Sequence, residues 1–173
     1  MFVGDAAYQV NPLHGGGIDS SMRAGYYAAE TAVKAIESGD FSLNSLWNYN
    51  RKIMINFGAE FASLDLLRRV LQSLSNQNLN FGLMNDLITG SEILEIASTG
   101  GLNLSLFDMA SKAFKGITHP DLLLDLNYLR IRMNEMANLY KNFPYSVEKL
   151  PEWRDKVKKI YDKVNRMIIQ VKN

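Results

Sequence analysis

The stretch GDAAYQVNPLHGGGI, residues 4–18, decides how this chain is interpreted. Two apolar residues precede it, as at the end of a strand, and its three consecutive glycines run directly into a helical pattern. Because glycine has no side chain, a flat or anionic group can approach the backbone closely there. The free N–H groups and the positive dipole end of the following helix would face that group. The stretch therefore predicts a loop that holds an anion or a cofactor, with a flexible turn as the alternative.

These residues resemble the second flavin-binding motif of the FAD-dependent oxidoreductases built like p-hydroxybenzoate hydroxylase, and within them the geranylgeranyl reductases. The resemblance implies FAD as the cofactor, a ribityl hydroxyl held by Asp5, and Gly15 to Gly17 beside the pyrimidine edge of the flavin. It also implies that the proline–glycine segment lies along the isoalloxazine ring. The matching residues are Gly4, Asp5, Ala6, Ala7, Pro12, Gly15, Gly16, Gly17 and Ile18, followed by Ala24, Gly25, Ala28 and Ala29.

The sequence departs from the family pattern in two ways. Tyr8 and His14 stand where smaller or less polar residues are expected. The GxGxxG unit that binds the ADP half of FAD does not occur in the sequence, and neither does a substrate-binding sheet before the Gly-Asp pair. We therefore expect the C-terminal part of such an enzyme, with residues 1–40 a remnant of the FAD-binding domain and residues 41–173 a helical domain. The chain alone should then bind FAD weakly and be inactive.

The resemblance implies reduction of isoprenoid double bonds in lipids, with an isoprenoid lipid as substrate. No catalytic residue is assigned. His14 could contact flavin or give a proton to substrate, or it could be an exposed loop histidine. Two alternatives remain open: part of a flavin monooxygenase, and a non-enzymatic helical module that binds lipid or a partner protein.

Composition narrows the functional class further. The chain has 173 residues, a net charge of +1 and no cysteine, so we expect no nucleic-acid partner and no disulfide. Two distant histidines make no metal site. The first residues lack the pattern of a signal peptide, which favours a cytoplasmic protein. Contact with a membrane surface is the alternative.

Helical periodicity dominates the chain, and the fold class predicted is mainly α. We expect a helix over residues 18–37 that stops at Gly39, then a helix from Ser42 or Asn44 to Leu74 with a kink at Gly58. Residues 75–78 are predicted to be a loop. A shorter helix is expected from Asn78 or Asn80 to near Gly90, followed by helices over residues 91–97 and 104–115. Glu60 and Asp65 are expected on a solvated helix surface.

The remaining helices have clear boundary signals. The sequence THPD at residues 118–121 predicts a helix start, and that helix should end before Pro144. Pro151 opens the last helix, which has an apolar face and a basic face. A helix of this kind can lie on an anionic membrane, although burial of the apolar face in the domain is favoured. Its two faces comprise Trp153, Val157, Ile160, Tyr161, Val164, Ile168 and Val171 on one side, and Arg154, Lys156, Lys158, Lys159, Lys163, Arg166 and Lys172 on the other.

The first helix carries a further expectation. In a complete enzyme its small residues would pack against the FAD-binding half. Without that half, apolar side chains would be exposed, so we expect self-association, most simply a symmetric dimer. The residues concerned are Val10, Leu13, Ile18, Met22 and Tyr26.

Overall fold

A computed structural model of the protein describes residues 1–84, 89–91, 94–95 and 120–171. Within these ranges the ordered elements are helices and no strand occurs, which confirms the mainly α class. Val3 is extended (φ −133°, ψ 147°) but enters no sheet in the described part, and Gly4–Ala7 form a 3-10 turn. The helix predicted over residues 104–115 lies outside the described residues, as do residues 85–88 and most of the helix predicted over residues 91–97.

The first helix and the start of the second helix are as expected. Helix α1 spans Ile18–Ser38 and ends at Gly39, whose left-handed conformation (φ 66°) allows its N–H to donate to the Ile36 carbonyl. Helix α2 spans Leu43–Ile53, and the Ser42 side chain caps it by accepting from the Ser45 N–H at 3.3 Å.

The predicted kink at Gly58 takes the form of a π-helical turn, Met54–Gly58, that leads into helix α3, Ala59–Ser73. A Cβ at Gly58 would lie 3.1 Å from the Ile53 carbonyl oxygen, so only glycine fits this turn without a shift. The predicted loop over residues 75–78 is wrong, because helix α4 spans Asn76–Met84. The Ser75 hydroxyl starts that helix by accepting from the Asn78 N–H at 3.1 Å.

Helix α5 spans Pro120–Lys141, and helix α6 spans Leu150–Val171 after a short 3-10 turn, Val147–Lys149. Helices α3, α5 and α6 enclose the main core. The apolar face of α6 is buried there, as favoured from the sequence. The core contains Ala62, Leu64, Leu66, Leu67, Val70, Leu129, Met133, Met136, Ile160, Val164 and Met167.

A second, smaller cluster holds α1 against α2 and the π-helical turn. It consists of Ala24, Tyr49, Ile53 and Phe57. Ala24 is fully buried, and the absence of a larger side chain there lets the two helices approach closely. This cluster fixes the direction of α1 and therefore the position of the loop that precedes it.

The opposite side of α1 faces outward and is apolar. Ile18, Met22 and Tyr26 are 81%, 72% and 67% exposed, and Val33 and Ile36 continue the stripe. Val10 and Leu13 are only half-exposed, and Leu13 packs against the main core. The expected apolar surface is therefore present along α1 itself, but Val10 and Leu13 add less to it than predicted.

Candidate functional site

Residues 4–17, hereafter loop 4–17, begin with a glycine that two separate constraints require. Gly4 is buried and has a positive φ of 70°, which disfavours residues with a side chain. A Cβ there would also lie 3.2 Å from the Ser21 hydroxyl in the first turn of α1. Gly4 therefore brings the start of the loop directly against α1.

A buried polar network centred on Gln9 shapes the loop. The Gln9 amide oxygen accepts from the Gly4 N–H at 2.7 Å, and its Nε2 donates to the Tyr49 hydroxyl at 3.1 Å. That hydroxyl donates to the Phe2 carbonyl, and the Ser20 hydroxyl donates to the Gln9 carbonyl. Gln9, Ser20 and Tyr49 are buried and each makes a hydrogen bond in this network, so the network holds the loop in one shape.

No pattern in the sequence had predicted that Gln9, Ser20 and Tyr49 form a hydrogen-bond network around this loop. A signal was available at Tyr49, because a buried tyrosine hydroxyl needs a hydrogen-bond partner. Nothing local to Tyr49 indicates which polar residue that partner would be.

Asn11 closes the second half of the loop. Its N–H donates to the Gly16 carbonyl and its carbonyl accepts from the Gly15 N–H, both at 2.9 Å. Its side-chain oxygen accepts from the Leu13 N–H at 2.9 Å, so the turn through Pro12 is held at both ends. Asn11 is buried, and no pattern in the sequence had predicted its role in closing the loop.

The glycine cluster presents backbone to the surface. Gly15 has φ 75°, and a Cβ there would meet nothing within 4 Å. At Gly16 a Cβ would lie 2.6 Å from His14 Cε1, because the imidazole folds over this residue. His14 Nδ1 accepts from the Gly16 N–H at 3.0 Å, so the neutral imidazole carries its proton on Nε2, where it can donate to a ligand.

Asp5 lies beside the open N-terminus of α1. A Cβ on Gly17 would be 3.3 Å from Asp5 Oδ1, and the Asp5 side chain is exposed. Gly17 is the cap residue of α1, and no side chain makes a capping hydrogen bond to this helix. The positive end of the helix dipole therefore faces outward beside a hydrogen-bond-accepting carboxylate.

The structure brings together some of the predicted site residues and separates others. Asp5, the three glycines and the exposed Ile18 share one surface at the start of α1. Gly4 is buried and Pro12 is half-buried, so they shape the loop. Among the described residues no group of acidic or histidine side chains could hold a metal ion.

Glu60 of α3 is a further charged group near this surface. Burial raises its pKa above the usual 4.5, and the negative charge of Asp19 acts in the same direction against the opposing charge of Arg23. Arg23 itself pairs with Asp19 at 3.0 Å. The expectation that Glu60 is a solvated surface carboxylate is therefore wrong, because it is half-buried and senses the charges around loop 4–17.

In its described part the chain is an all-helical unit in which a glycine-rich loop leaves the positive end of helix α1 open at the surface. Comparison with known proteins identifies the family to which the chain belongs. The chain is 39% identical over 168 residues to the digeranylgeranylglycerophospholipid reductase of Sulfolobus acidocaldarius, covering 97% of the chain. It is 35% identical over 115 residues to reductase 1 of that name from Methanococcoides burtonii, and 40% identical over 80 residues to reductase 2 from Methanopyrus kandleri. The chain belongs to the geranylgeranyl reductase family.

The matches cover only part of each relative. The chain spans 37% of the Sulfolobus protein, 26% of the Methanococcoides protein and 20% of the Methanopyrus protein. A scan against protein-family models finds no match. The family resemblance expected from residues 4–29 is thus confirmed by a match that extends over nearly the whole chain.

Proposed function

We propose that this chain provides the helical part of an FAD-dependent reductase that saturates isoprenoid double bonds of lipids. The observation that carries the proposal is the placement of the exposed Asp5 carboxylate against Gly17, at the uncapped N-terminus of α1. The relatives' name, digeranylgeranylglycerophospholipid reductase, supports an isoprenoid phospholipid as the substrate class.

The loop fits a flavin on physical grounds. Gly15 is open on its Cβ side, so a planar ring can approach the backbone closely. The first-turn N–H groups of α1 stabilise negative charge next to them by about 0.3–1 kcal/mol. The Asp5 carboxylate can accept a hydrogen bond from a ribityl hydroxyl, as the family motif implies.

Several residues of the loop then have distinct roles. Bound flavin, in its reduced form, would supply the hydride that is added to one carbon of the double bond, and the other carbon would take up a proton. Asp5 and the backbone of Gly15, Gly16 and Gly17 would orient the cofactor, while Gln9 and Asn11 keep the loop in shape. The Nε2–H group of His14 is available to donate a hydrogen bond to a bound ligand.

Residues 1–40 would form the flavin-facing part and residues 41–173 the helical domain that helps cover the lipid. The outward stripe of α1 would pack against the nucleotide-binding part of a complete enzyme. Because the sequence contains no GxGxxG unit, the 173-residue chain alone should bind FAD weakly.

A chimera tests the proposal directly. The segment of the Sulfolobus reductase that aligns with this chain is replaced by residues 1–173, and the product is assayed with a digeranylgeranyl phospholipid. A mass gain of two hydrogens per double bond supports a reductase. Oxygen incorporation into the product would indicate a monooxygenase, and a chimera that folds and carries flavin but leaves the lipid unchanged would contradict the proposed reaction.

A further inference from the structure

Helix α1 carries apolar side chains on two opposite faces. One face is buried against α2 and the π-helical turn, with Ala24 at its centre. The side chains of the other face recur every three or four residues, so they form one exposed stripe along the whole helix. A helix that is apolar on both faces needs a neighbour on each, and the described part of the chain covers only one. The exposed stripe comprises Ile18, Met22, Tyr26, Ala29, Val33 and Ile36.

The charges of α1 all lie along one side of this stripe. Each charged residue follows a stripe residue by one position, and the charges alternate in sign along the helix. The opposite side of the stripe has no charge and contains Gly25, where a Cβ would meet nothing within 4 Å. The stripe therefore has one charged flank and one uncharged flank. The charged flank consists of Asp19, Arg23, Glu30, Lys34 and Glu37.

A second copy of α1 matches this pattern in one orientation. In an antiparallel pair of identical helices related by a two-fold axis, the charged flank of one copy faces the charged flank of the other. In a parallel pair it would face the uncharged flank instead. With the axis between positions 26 and 27, Asp19 of one copy lies opposite Lys34 of the other. Arg23 then lies opposite Glu30, so every overlapping charge meets one of opposite sign.

Charges on the neighbouring helices reinforce this match. Lys52 of α2 also pairs with Glu30, which gives the C-terminal half of the charged flank an excess of positive charge. In the N-terminal half, the Glu60 carboxyl of α3 lies within electrostatic range of Asp19 and Arg23. The ionised Glu60 gives that half an excess of negative charge. Antiparallel pairing sets the negative half of one copy against the positive half of the other.

The last charge of the flank lies outside the overlap. Glu37 falls opposite position 16 of the second copy, just before the start of its α1. The positive end of the helix dipole attracts a carboxylate there, whereas the Asp5 carboxylate beside Gly17 repels it. The charge match therefore depends on the four residues within the overlap.

We propose that the 173-residue chain forms an antiparallel two-fold dimer through α1, in which the apolar stripe packs on its copy and Asp19 pairs with Lys34 of the second copy. The sequence predicts self-association, and the structure adds the orientation, the register and the ion pairs. The dimer does not require flavin and is separate from the proposed reductase function. In a complete enzyme the nucleotide-binding part would compete for the same stripe.

Exchange of one charge at a time tests the orientation and the register. The side chains of Asp19 and Lys34 are 74% and 61% exposed, so both can be changed with little effect on the fold. The Asp19→Lys chain has lysine at both positions and the Lys34→Asp chain has aspartate at both. Each variant alone therefore sets like charges against each other, whereas a mixture pairs lysine with aspartate. Asp155→Lys is the matched control, since it makes the same charge change at an exposed position of α6.

Analytical ultracentrifugation measures the dissociation constant of each dimer, and native mass spectrometry distinguishes the mixed dimer by mass. Circular dichroism verifies that each variant is folded. We expect dissociation constants raised roughly tenfold in each single variant, because two symmetry-related pairs of exposed charges are reversed. The mixed dimer and the Asp155→Lys dimer should stay within about threefold of the original. The mixture carries the same substitutions as the single variants, so their effect on the helix itself is shared.

Three results would overturn the proposal. Equal dimerisation of the original chain and both single variants would show that the copies associate through another face or in another register. Single variants that dissociate and do not recover on mixing would exclude the antiparallel pairing. An original chain that stays monomeric at high concentration would mean that the stripe is reserved for a different partner, such as the nucleotide-binding part.

Discussion

The carboxylate of Asp5 lies against the backbone of Gly17, where a Cβ would be only 3.3 Å from Asp5 Oδ1 and 3.3 Å from Val10 Cγ2. This contact joins the Gly-Asp pair to the N-terminus of α1 across twelve positions of sequence. It explains why the last glycine of the cluster has no side chain. It also places an acceptor and a row of N–H donors on one surface.

A methyl group at Gly17 should therefore displace Asp5. We expect Gly17→Ala to lower the free energy of unfolding, because the added methyl group is crowded and alanine is less favourable than glycine at a helix N-cap. Gly25→Ala is the matched control, since its Cβ meets nothing within 4 Å in mid-helix and should raise that free energy by up to about 1 kcal/mol. Urea unfolding of the 173-residue chain measures both. Equal stabilisation by the two substitutions would show that Gly17 is not crowded.

The hydrogen-bond network around Gln9 predicts that the fold is less stable when the Tyr49 hydroxyl is removed. Tyr49→Phe removes the acceptor of Gln9 Nε2 and the donor to the Phe2 carbonyl. We expect a loss of about 1–3 kcal/mol in the free energy of unfolding, because both partners are left without their bond. Tyr8→Phe, at a residue that is 93% exposed, should change it by less than about 0.5 kcal/mol. If both variants unfold at the same urea concentration, the network does not hold the loop.

Sequence patterns predicted the helices wherever a capping signal and an apolar period coincided. The stop at Gly39, the break at Gly58 and the start at Pro120 each combine a backbone preference with a change in periodicity. The start of α4 was missed because the run SNQN resembles a loop in composition. The hydrogen bond that the Ser75 hydroxyl accepts from the Asn78 N–H caps α4 and outweighs the poor helix propensity of asparagine.

The site was predictable only in part. The Gly-Asp pair and the glycine cluster are local signals, so sequence alone could identify them. The hydrogen bond between Gln9 and Tyr49 joins residues 40 positions apart, and the contact of Asp65 with Tyr161 joins residues 96 apart. Such pairs depend on how helices pack, which no local pattern in a single sequence encodes.

Asp65 makes one of these long-range contacts, and its ionisation predicts that the free energy of unfolding depends on pH. Burial raises its pKa, but hydrogen bonds from Arg69, Arg68 and Tyr161 outweigh burial, so the pKa lies below the usual 3.8. A depressed carboxyl pKa contributes stability above the unfolded-state value and loses it as pH falls through the folded-state value. Asp65 is therefore not the solvated surface carboxylate that we expected.

Asp65→Asn should lower the free energy of unfolding by about 2 kcal/mol at pH 7. The difference from the original chain should shrink as the pH is lowered below 3.8. Chemical denaturation across this pH range measures the effect, with Asp155→Asn on the exposed side of α6 as the control. A difference that stays constant down to the acid transition would mean that the ionised carboxylate is not what stabilises α3 against α6.

The exposed stripe of α1 predicts association of the chain with a second copy. Light scattering across concentration should give a dimer, because several adjacent apolar side chains are more exposed than is usual for a monomer. Met22→Glu together with Tyr26→Glu should give a monomer, whereas Ile169→Glu on α6 should leave the dimer intact. A monomeric mass for the original chain at high concentration would contradict the prediction.

The flavin content of the Sulfolobus chimera tests the central claim most directly. Purified chimera should contain about one FAD per chain by visible absorbance. In the Asp5→Ala chimera FAD should bind roughly tenfold or more weakly, since a hydrogen bond to a charged acceptor contributes about 1.5–3 kcal/mol. The Asp155→Ala chimera loses an exposed carboxylate far from the loop in sequence. It should bind FAD as tightly as the chimera without a substitution. A folded Asp5→Ala chimera that holds FAD as tightly as the Asp155→Ala chimera would contradict the account.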